Sequence, residues 1–376
     1  MDNSPHSTSR LPVCLVTGGT GLVGQALQSI LRREQTTSLP SSSPSSSSPC
    51  SSSCSSSSCS SSSCSSSERH AGVETVRLCG RGFEFIFVGS READLRSFEP
   101  TEALFLRYRP VALIHLAARV GGLFDNMSHN LEFFEDNMHI NDNVVRLAHR
   151  FRVTRAVFCL STCIFPAHCA ESGEVMREEQ LHTGAPHPSN EGYSYAKRML
   201  EVSVRLHRRR FGYAWRCVCP TNLYGPFDQF SLERAHVLPA LVHKAFLASR
   251  HKTPFVVGGS GAPLRQFVFS EDAGEVILRV LQAPTLSEEE SFMILAADAD
   301  QNEPSIAYLA EVIADNFGLK NVIEFDRSKP DGIFRKTVSN ARLRRFLGPK
   351  FQFLSLEEGV RRTVAWFVQN AERARM

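Results

Sequence analysis

The chain has 376 residues, of which 42% are hydrophobic and 22% charged, and a formal net charge of +3. At roughly 150 residues per domain, that length allows one large domain or two linked ones with ample core. No run of about 18 apolar residues occurs, which excludes a spanning helix, and so small a charge argues against a nucleic-acid or membrane-surface binder.

The first apolar run, Leu11 to Thr17, leads straight into Gly18-Gly19-Thr20-Gly21 with no small-residue cleavage site, so it reads as a strand. A glycine loop and a helix from about Leu22 to Arg33 follow. The tract from Ser41 to Ser67 contains only Ser, Cys and Pro, buries too little apolar surface to offset its ordering entropy, and reads as a disordered insertion. Phe83 to Val88 is the next strand, Glu102 to Tyr108 a helix, and Val111 to Leu116 a strand. A long helix is expected from Asn130 to Phe151, a strand at Ala156 to Leu160, a helix at Tyr193 to Phe211 and a strand at Tyr213 to Val218. Strands alternating with helices of this length imply right-handed parallel βαβ units. The expected fold is therefore α/β, a Rossmann-type doubly wound parallel sheet. Beyond Thr221 the alternation turns irregular and Gly/Pro-rich, which suggests a smaller C-terminal α/β lobe for substrate. Ser355-Leu356-Glu357-Glu358 opens the last helix with capping-box spacing, and Val360, Val364 and Phe367 form its buried stripe. The expected boundaries are residues 1–40 and 68–225 for the nucleotide domain, with elements returning at about 262–285, then 41–67 for the insertion and 226–376 mainly for the substrate lobe.

Four of the eleven cysteines lie in the Ser/Cys tract, and the other seven sit mostly in apolar strand-like runs. Reduced cysteines behave there as small hydrophobes, and the pattern is no disulfide framework. The four tract thiols lack an accompanying His or paired C-x-x-C, so no metal site is expected. A reducing cytoplasm is the default compartment.

Gly18-x-x-Gly21-x-x-Gly24, between a strand and a helix, is the first chemical signal. Glycines let the backbone turn tightly and approach a pyrophosphate, which free amides at the helix N-terminus receive. The loop from Gly18 through Thr20, Gly21, Leu22 and Val23 to Gly24 is the candidate dinucleotide site. At the end of the next strand, Arg91 stands where an NAD-selective site usually offers a carboxylate, and so favours a 2′-phosphate, hence NADP; read alone it is also an ordinary solvated charge. The small residues of Leu116-Ala117-Ala118 let the sheet edge touch the cofactor. His115 reads as a packed strand histidine.

Ser161 ends one strand, and Tyr193-x-x-x-Lys197 opens the next long helix. Residues four apart share a helical face, so the Lys197 ammonium is expected beside the Tyr193 phenol, drawing its pKa down from about 10 into acid/base range. Tyr195, two residues from Lys197, faces elsewhere. This constellation is the chemistry of carbonyl reduction by hydride.

On these residues the chain resembles the extended short-chain dehydrogenase/reductases, and among them the GDP-L-fucose synthase family. The further matching stretches are Ser161-Thr162-Cys163-Ile164-Phe165-Pro166, Pro220-Thr221-Asn222-Leu223-Tyr224-Gly225-Pro226, His236-Val237-Leu238-Pro239 and Ser328-Lys329-Pro330-Asp331-Gly332. The resemblance implies 3,5-epimerisation of GDP-4-keto-6-deoxy-mannose followed by NADP(H)-dependent reduction of its C4 ketone. It implies Cys163 and His236 as the epimerising acid/base pair, where the residues alone read as a strand-end thiol and a surface histidine. It assigns Pro220, Asn222, Leu223 and His236 to the cofactor as well as Tyr193 and Lys197, and Asn190, Lys244, Arg265 and Lys329 to the substrate. Gly258 departs from the Trp that many relatives carry, and Thr20 from the basic residue of some bacterial ones. A homodimer built on the 130–151 and 193–211 helices is implied too, with Phe133, Phe134 and Met138 open to either core or interface. Two other functions fit parts of the pattern: a sugar-nucleotide 4-epimerase or 4,6-dehydratase using the same Tyr/Lys pair, and a non-catalytic NADP-binding regulator.

Overall fold

A computed structural model describes residues 11–37, 66–70, 73–284, 287–298 and 303–376. The expected insertion falls outside these residues up to position 65, and its last two positions, Ser66 and Ser67, lie within a strand.

In chain order the elements are β1 (Val13–Thr17), α1 (Leu22–Thr37), β2 (Ser66–His70), β3 (Val73–Gly80), β4 (Phe83–Val88), α2 (Phe98–Tyr108), β5 (Ala112–His115), α3 (Leu123–Ser128), α4 (Asn130–Arg150), β6 (Arg155–Cys159), α5 (Ala167–Glu171), α6 (Glu191–Phe211) and β7 (Ala214–Pro220). There follow β8 (Asn222–Tyr224), α7 (Val237–His251), β9 (Phe255–Gly258), β10 (Phe267–Phe269), α8 (Ser270–Gln282), β11 (Phe292–Leu295), α9 (Ile306–Asp315), β12 (Ile323–Asp326), α10 (Ala341–Leu347) and α11 (Leu356–Asn370).

The main sheet runs β11-β7-β6-β5-β1-β4-β3-β2, parallel from β11 to β4. The doubly wound parallel sheet is thus as expected, and α8 with β11 carries the return to it as far as Leu295. One feature was not expected: β2 and β3 extend the β4 edge antiparallel. Its signal is Gly80-Arg81-Gly82, where Arg81 and Gly82 both take positive φ, 50° and 83°, as a two-residue hairpin turn requires.

Both faces of the sheet are covered because its strands alternate apolar residues on each side. Leu15, Ile86, Leu113, Phe158 and Trp215 pack toward α2, α4 and α6, and Cys14, Val16, Phe85, Ile114 and Val218 toward α1 and α8. Burying each large side chain here contributes on the order of 1.5–3 kcal/mol. A third core holds α7, α9 and α11 against β9 and β12. Ser355 caps α11 by accepting from the Glu358 amide, and Val360, Val364 and Phe367 are buried, as its spacing requires.

From β1 the chain goes outward to β4, then crosses back over β1 to β5 and continues the other way. That reversal opens a crevice above the C-terminal ends of β1 and β5, the place where such sheets take ligands.

Candidate active site

The crevice floor is built by backbone in close approach. Gly18 has φ +72°, and a Cβ there would lie 2.8 Å from the Ala117 amide nitrogen; one on Gly24 would lie 2.5 Å from the Gly19 carbonyl. The loop is tied across the sheet by the Gly19 amide donating to the Val88 carbonyl at 2.8 Å. Beneath it the Thr17 hydroxyl and His115 Nδ1 are 2.8 Å apart, and His115 Nε2 lies 3.2 Å from Asn141 Oδ1. Burial pushes His115 down to about 3, so this packed imidazole is neutral.

Above this floor opens a cleft of about 940 Å³. Gly18, Thr20, Gly21, Leu22, Val23, Gly24, Leu116, Ala117 and Ala118 line it, with Ser161, Tyr193, Lys197, Pro220, Asn222, Leu223 and His236. The residues fit a dinucleotide: glycines leave the backbone bare, and the first turn of α1, whose amides have no intrahelical acceptor, lines the opening. Arg91 does not line the wall. The Gly89 amide donates to the Glu92 carboxylate at 2.8 Å across this turn, and Arg91 is exposed to solvent. Ser90 and Arg96 line the cleft in its stead, Arg96 being held by Asp94 at 2.7 Å and Asp136 at 3.4 Å.

At the inner end, Ser161 caps the short turn Thr162–Ile164. Tyr193 and Lys197 sit one turn apart on α6, with the ammonium 5.9 Å from the phenol ring centroid and donating to the Cys159 carbonyl at 2.8 Å. Lys197 is 2% exposed. The expected depression of the Tyr193 pKa does not occur: burial holds the phenol well above its ordinary range, the neighbouring thiols add to this, and the Ser161 hydrogen bond only opposes it. Burial likewise lowers Lys197. Tyr193 is therefore a protonated acid. Tyr195 turns away, with the Arg198 guanidinium 5.7 Å from its ring centroid.

A smaller recess of about 280 Å³ continues from this point. Cys163, Asn190, His236 and Arg265 line it, together with Ser161, Tyr193 and Asn222 from the cleft. His236 precedes α7 as its N-cap, solvent-accessible within the recess, and desolvation by the surrounding walls moves its imidazole below the usual range. The Arg265 guanidinium donates to the Leu264 carbonyl at 2.7 Å. Lys244 and Lys329 line neither space. They lie near Asp326, whose pKa they help lower after its hydrogen bonds from Ser328, and Lys329 is next to Gly258: a Cβ there would meet its side chain at 3.6 Å.

Sequence reasoning missed Lys336, Gln266 and Asn126 in the recess and Asp228 in the cleft. Asp228 Oδ1 accepts from the Gln229 amide at 2.7 Å, its Oδ2 has no protein partner, and burial raises the acid to about 7. Asp228 lies two residues past the Tyr224-Gly225-Pro226 stretch and Lys336 four past Asp331-Gly332, so both lie near recognisable motifs.

Comparison with known proteins agrees with this geometry. The sequence profile of the NAD dependent epimerase/dehydratase family matches residues 14–294. A GDP-L-fucose synthase of Dictyostelium discoideum is 40% identical over 291 residues, 77% of this chain and 88% of its own. A probable GDP-L-fucose synthase of Drosophila melanogaster is 37% identical over 368 residues, 96% of this chain and 98% of its own. The crystal structure of a GDP-L-fucose synthetase from Naegleria fowleri bound to NADP superposes with a TM-score of 0.78 at 36% identity, covering 100% of this chain and 98% of the other.

Proposed function

Because the chain belongs to the NAD dependent epimerase/dehydratase family, among the GDP-L-fucose synthases, we propose that it converts GDP-4-keto-6-deoxy-mannose to GDP-L-fucose, inverting C3 and C5 and then reducing the C4 ketone. Its cofactor is NADP(H), which supplies the hydride when bound. The observation that carries this reading is the continuity of the two spaces: Ser161, Tyr193 and His236 belong to both walls, so one sugar ring reaches the reducing acid and the epimerising pair together.

The ketone acidifies the protons on C3 and C5. Cys163 and His236 exchange them, one removing a proton from one face and the other returning it on the opposite face. Ser161 and Tyr193 donate hydrogen bonds to the C4 oxygen and so stabilise the charge that develops there. Once both centres are inverted, Tyr193 gives its proton to that oxygen, and Lys197 stabilises the resulting phenolate. Asn190 and Arg265, on the recess wall, suit the sugar and its phosphates, and Lys244 and Lys329 the far end of the nucleotide. The glycine loop and the α1 amides hold the cofactor diphosphate. Arg91 has no ion pair among the described residues and is the cation this reading gives to the 2′-phosphate.

The test is NADPH consumption with GDP-4-keto-6-deoxy-mannose as substrate, with the product sugar identified by NMR. GDP-L-fucose is expected, and turnover yielding an unepimerised sugar, or none, overturns the reading.

The homodimer is supported by α4 and α6, which pack on each other and leave Leu131 64%, Met199 41% and Leu206 55% exposed. Phe134 shares this outer surface, Phe133 is in the core and Met138 is half-buried. Light scattering at micromolar concentration should give twice the chain mass; a monomer mass rules the dimer out. Among the described residues no helix is long and apolar enough to cross a membrane, and seven cysteines are free thiols, which suits a reducing cytoplasm.

A further inference from the structure

Residues 335–338 form a short extended segment clamped on both sides. On one side Leu264 bridges Arg335, and the Gln266 side chain both donates to and accepts from the Val338 backbone, at 3.2 and 2.8 Å. On the other side the Met176 amide donates to the Thr337 carbonyl at 2.9 Å, and its carbonyl accepts from Ser339 at 2.8 Å. Extended chain alternates its side chains. Arg335 and Thr337 both bond Glu303, and the residue between them, Lys336, lines the recess with Cys163, Asn190, His236 and Arg265.

The other cations around Cys163 are committed elsewhere. Lys197 donates to the Cys159 carbonyl, Arg198 to those of Ile164 and Gly184, and Arg265 to that of Leu264. Lys336 has neither a carboxylate nor a hydrogen-bond acceptor among the described residues. A half-buried ammonium without a protein partner is poorly compensated, and such groups gather at functional sites.

We propose that Lys336 is a positioning residue for the epimerisation, the cation set in the same recess to stabilise negative charge on the Cys163 sulfur as it exchanges a proton with the sugar. The proposal rests on reading Cys163 as one member of the acid/base pair. The thiolate removes the proton on C3 or C5, the C–H electron pair moves into the enolate of the C4 ketone, and His236 relays a proton from water to the other face. The thiol then gives its proton back to water, restoring the thiolate before the second centre is inverted.

Electrostatics agrees with the geometry. Burial lowers Lys336, and the charge that most favours its ammonium is that of Cys163, followed by Cys219, with Arg265 opposing. The titratable groups facing Cys163 from the packed elements are Tyr193, Lys197 and Arg198 of α6, Cys159 of β6, Cys219 of β7, His236 ahead of α7, and Arg265.

The decisive experiment is the pH profile of Cys163 alkylation by iodoacetamide, read by peptide mass spectrometry on the full chain with NADP. Lys336→Met and Lys336→Gln should each move its midpoint upward, leaving about tenfold less thiolate at neutral pH, and slow deuterium uptake from solvent into the sugar by about the same factor. Lys336→Arg should restore both. An unchanged midpoint in the Met and Gln variants overturns the role of Lys336. Deuterium uptake at full rate in Cys163→Ser would instead sink the acid/base assignment itself, so the two failures are distinguishable.

Discussion

Replacing Tyr193 by Phe should lower the rate of NADPH-dependent ketone reduction by a factor on the order of 10²–10⁴, the usual worth of a positioned general acid. The hydride cannot settle on C4 unless the developing alkoxide receives a proton, and the remaining hydroxyl nearby, on Ser161, hydrogen-bonds the oxygen without a cation beside it to stabilise what proton loss would leave. Lys197 still donates to the Cys159 carbonyl in the variant, so the cleft keeps its shape and NADPH should bind with little change. Because Cys163 and His236 are untouched, deuterium from solvent should still enter the sugar. Tyr195→Phe is the control: its ring lies by Arg198, away from the cleft, and reduction should proceed normally. The measurement is the decay of NADPH absorbance with saturating substrate. A Tyr193→Phe rate within tenfold of wild type would remove the phenol from the mechanism. Since burial holds Tyr193 above its ordinary range, its acid form persists as pH rises through neutrality, and no loss of reduction in that interval should trace to this residue.

Cys163→Ser is the second large effect. A hydroxyl is a far weaker acid than a thiol and cannot serve as the proton acceptor at neutral pH, so inversion should slow by on the order of 10²–10⁴. What carries the fold at this position is the backbone: the Cys163 carbonyl accepts from Ser194 Oγ at 3.0 Å, a bond the substitution leaves intact. NADPH consumption should therefore fall with the supply of epimerised ketone, and any residual reduction should give an unepimerised 6-deoxyhexose, distinguishable by proton NMR. GDP-L-fucose formed at the wild-type rate would show that the thiol plays no part.

The two variants separate two kinds of information. Tyr193 and Lys197 were legible because helical periodicity alone sets residues four apart on one face. Gly18, Gly21 and Gly24 were legible because a strand, a glycine turn and a helix in succession admit few backbone paths. The direction of the Tyr193 shift was not, since it depends on how much water the assembled walls exclude, and there desolvation outweighs the Ser161 hydrogen bond that opposes it. Arg91 shows the same limit. It follows β4, but in the folded turn it is exposed and off the cleft wall, which no local pattern encodes.

By itself the sequence determined the local elements that periodicity and turn chemistry dictate, the parallel α/β class, and the residue types needed for reduction and proton exchange. Only the tertiary structure decided which charges meet in the recess. Arg265, His236 and Lys336 reach Cys163 from segments about seventy to one hundred and seventy residues away in sequence, through registers such as Leu264 against Arg335 that no local pattern encodes. The antiparallel edge is different in kind: β3 pairs with its sequence neighbour β4 through the local Arg81-Gly82 turn. Contacts between distant segments are set by tertiary packing, which brings the half-buried ammonium of Lys336 into one recess with Cys163.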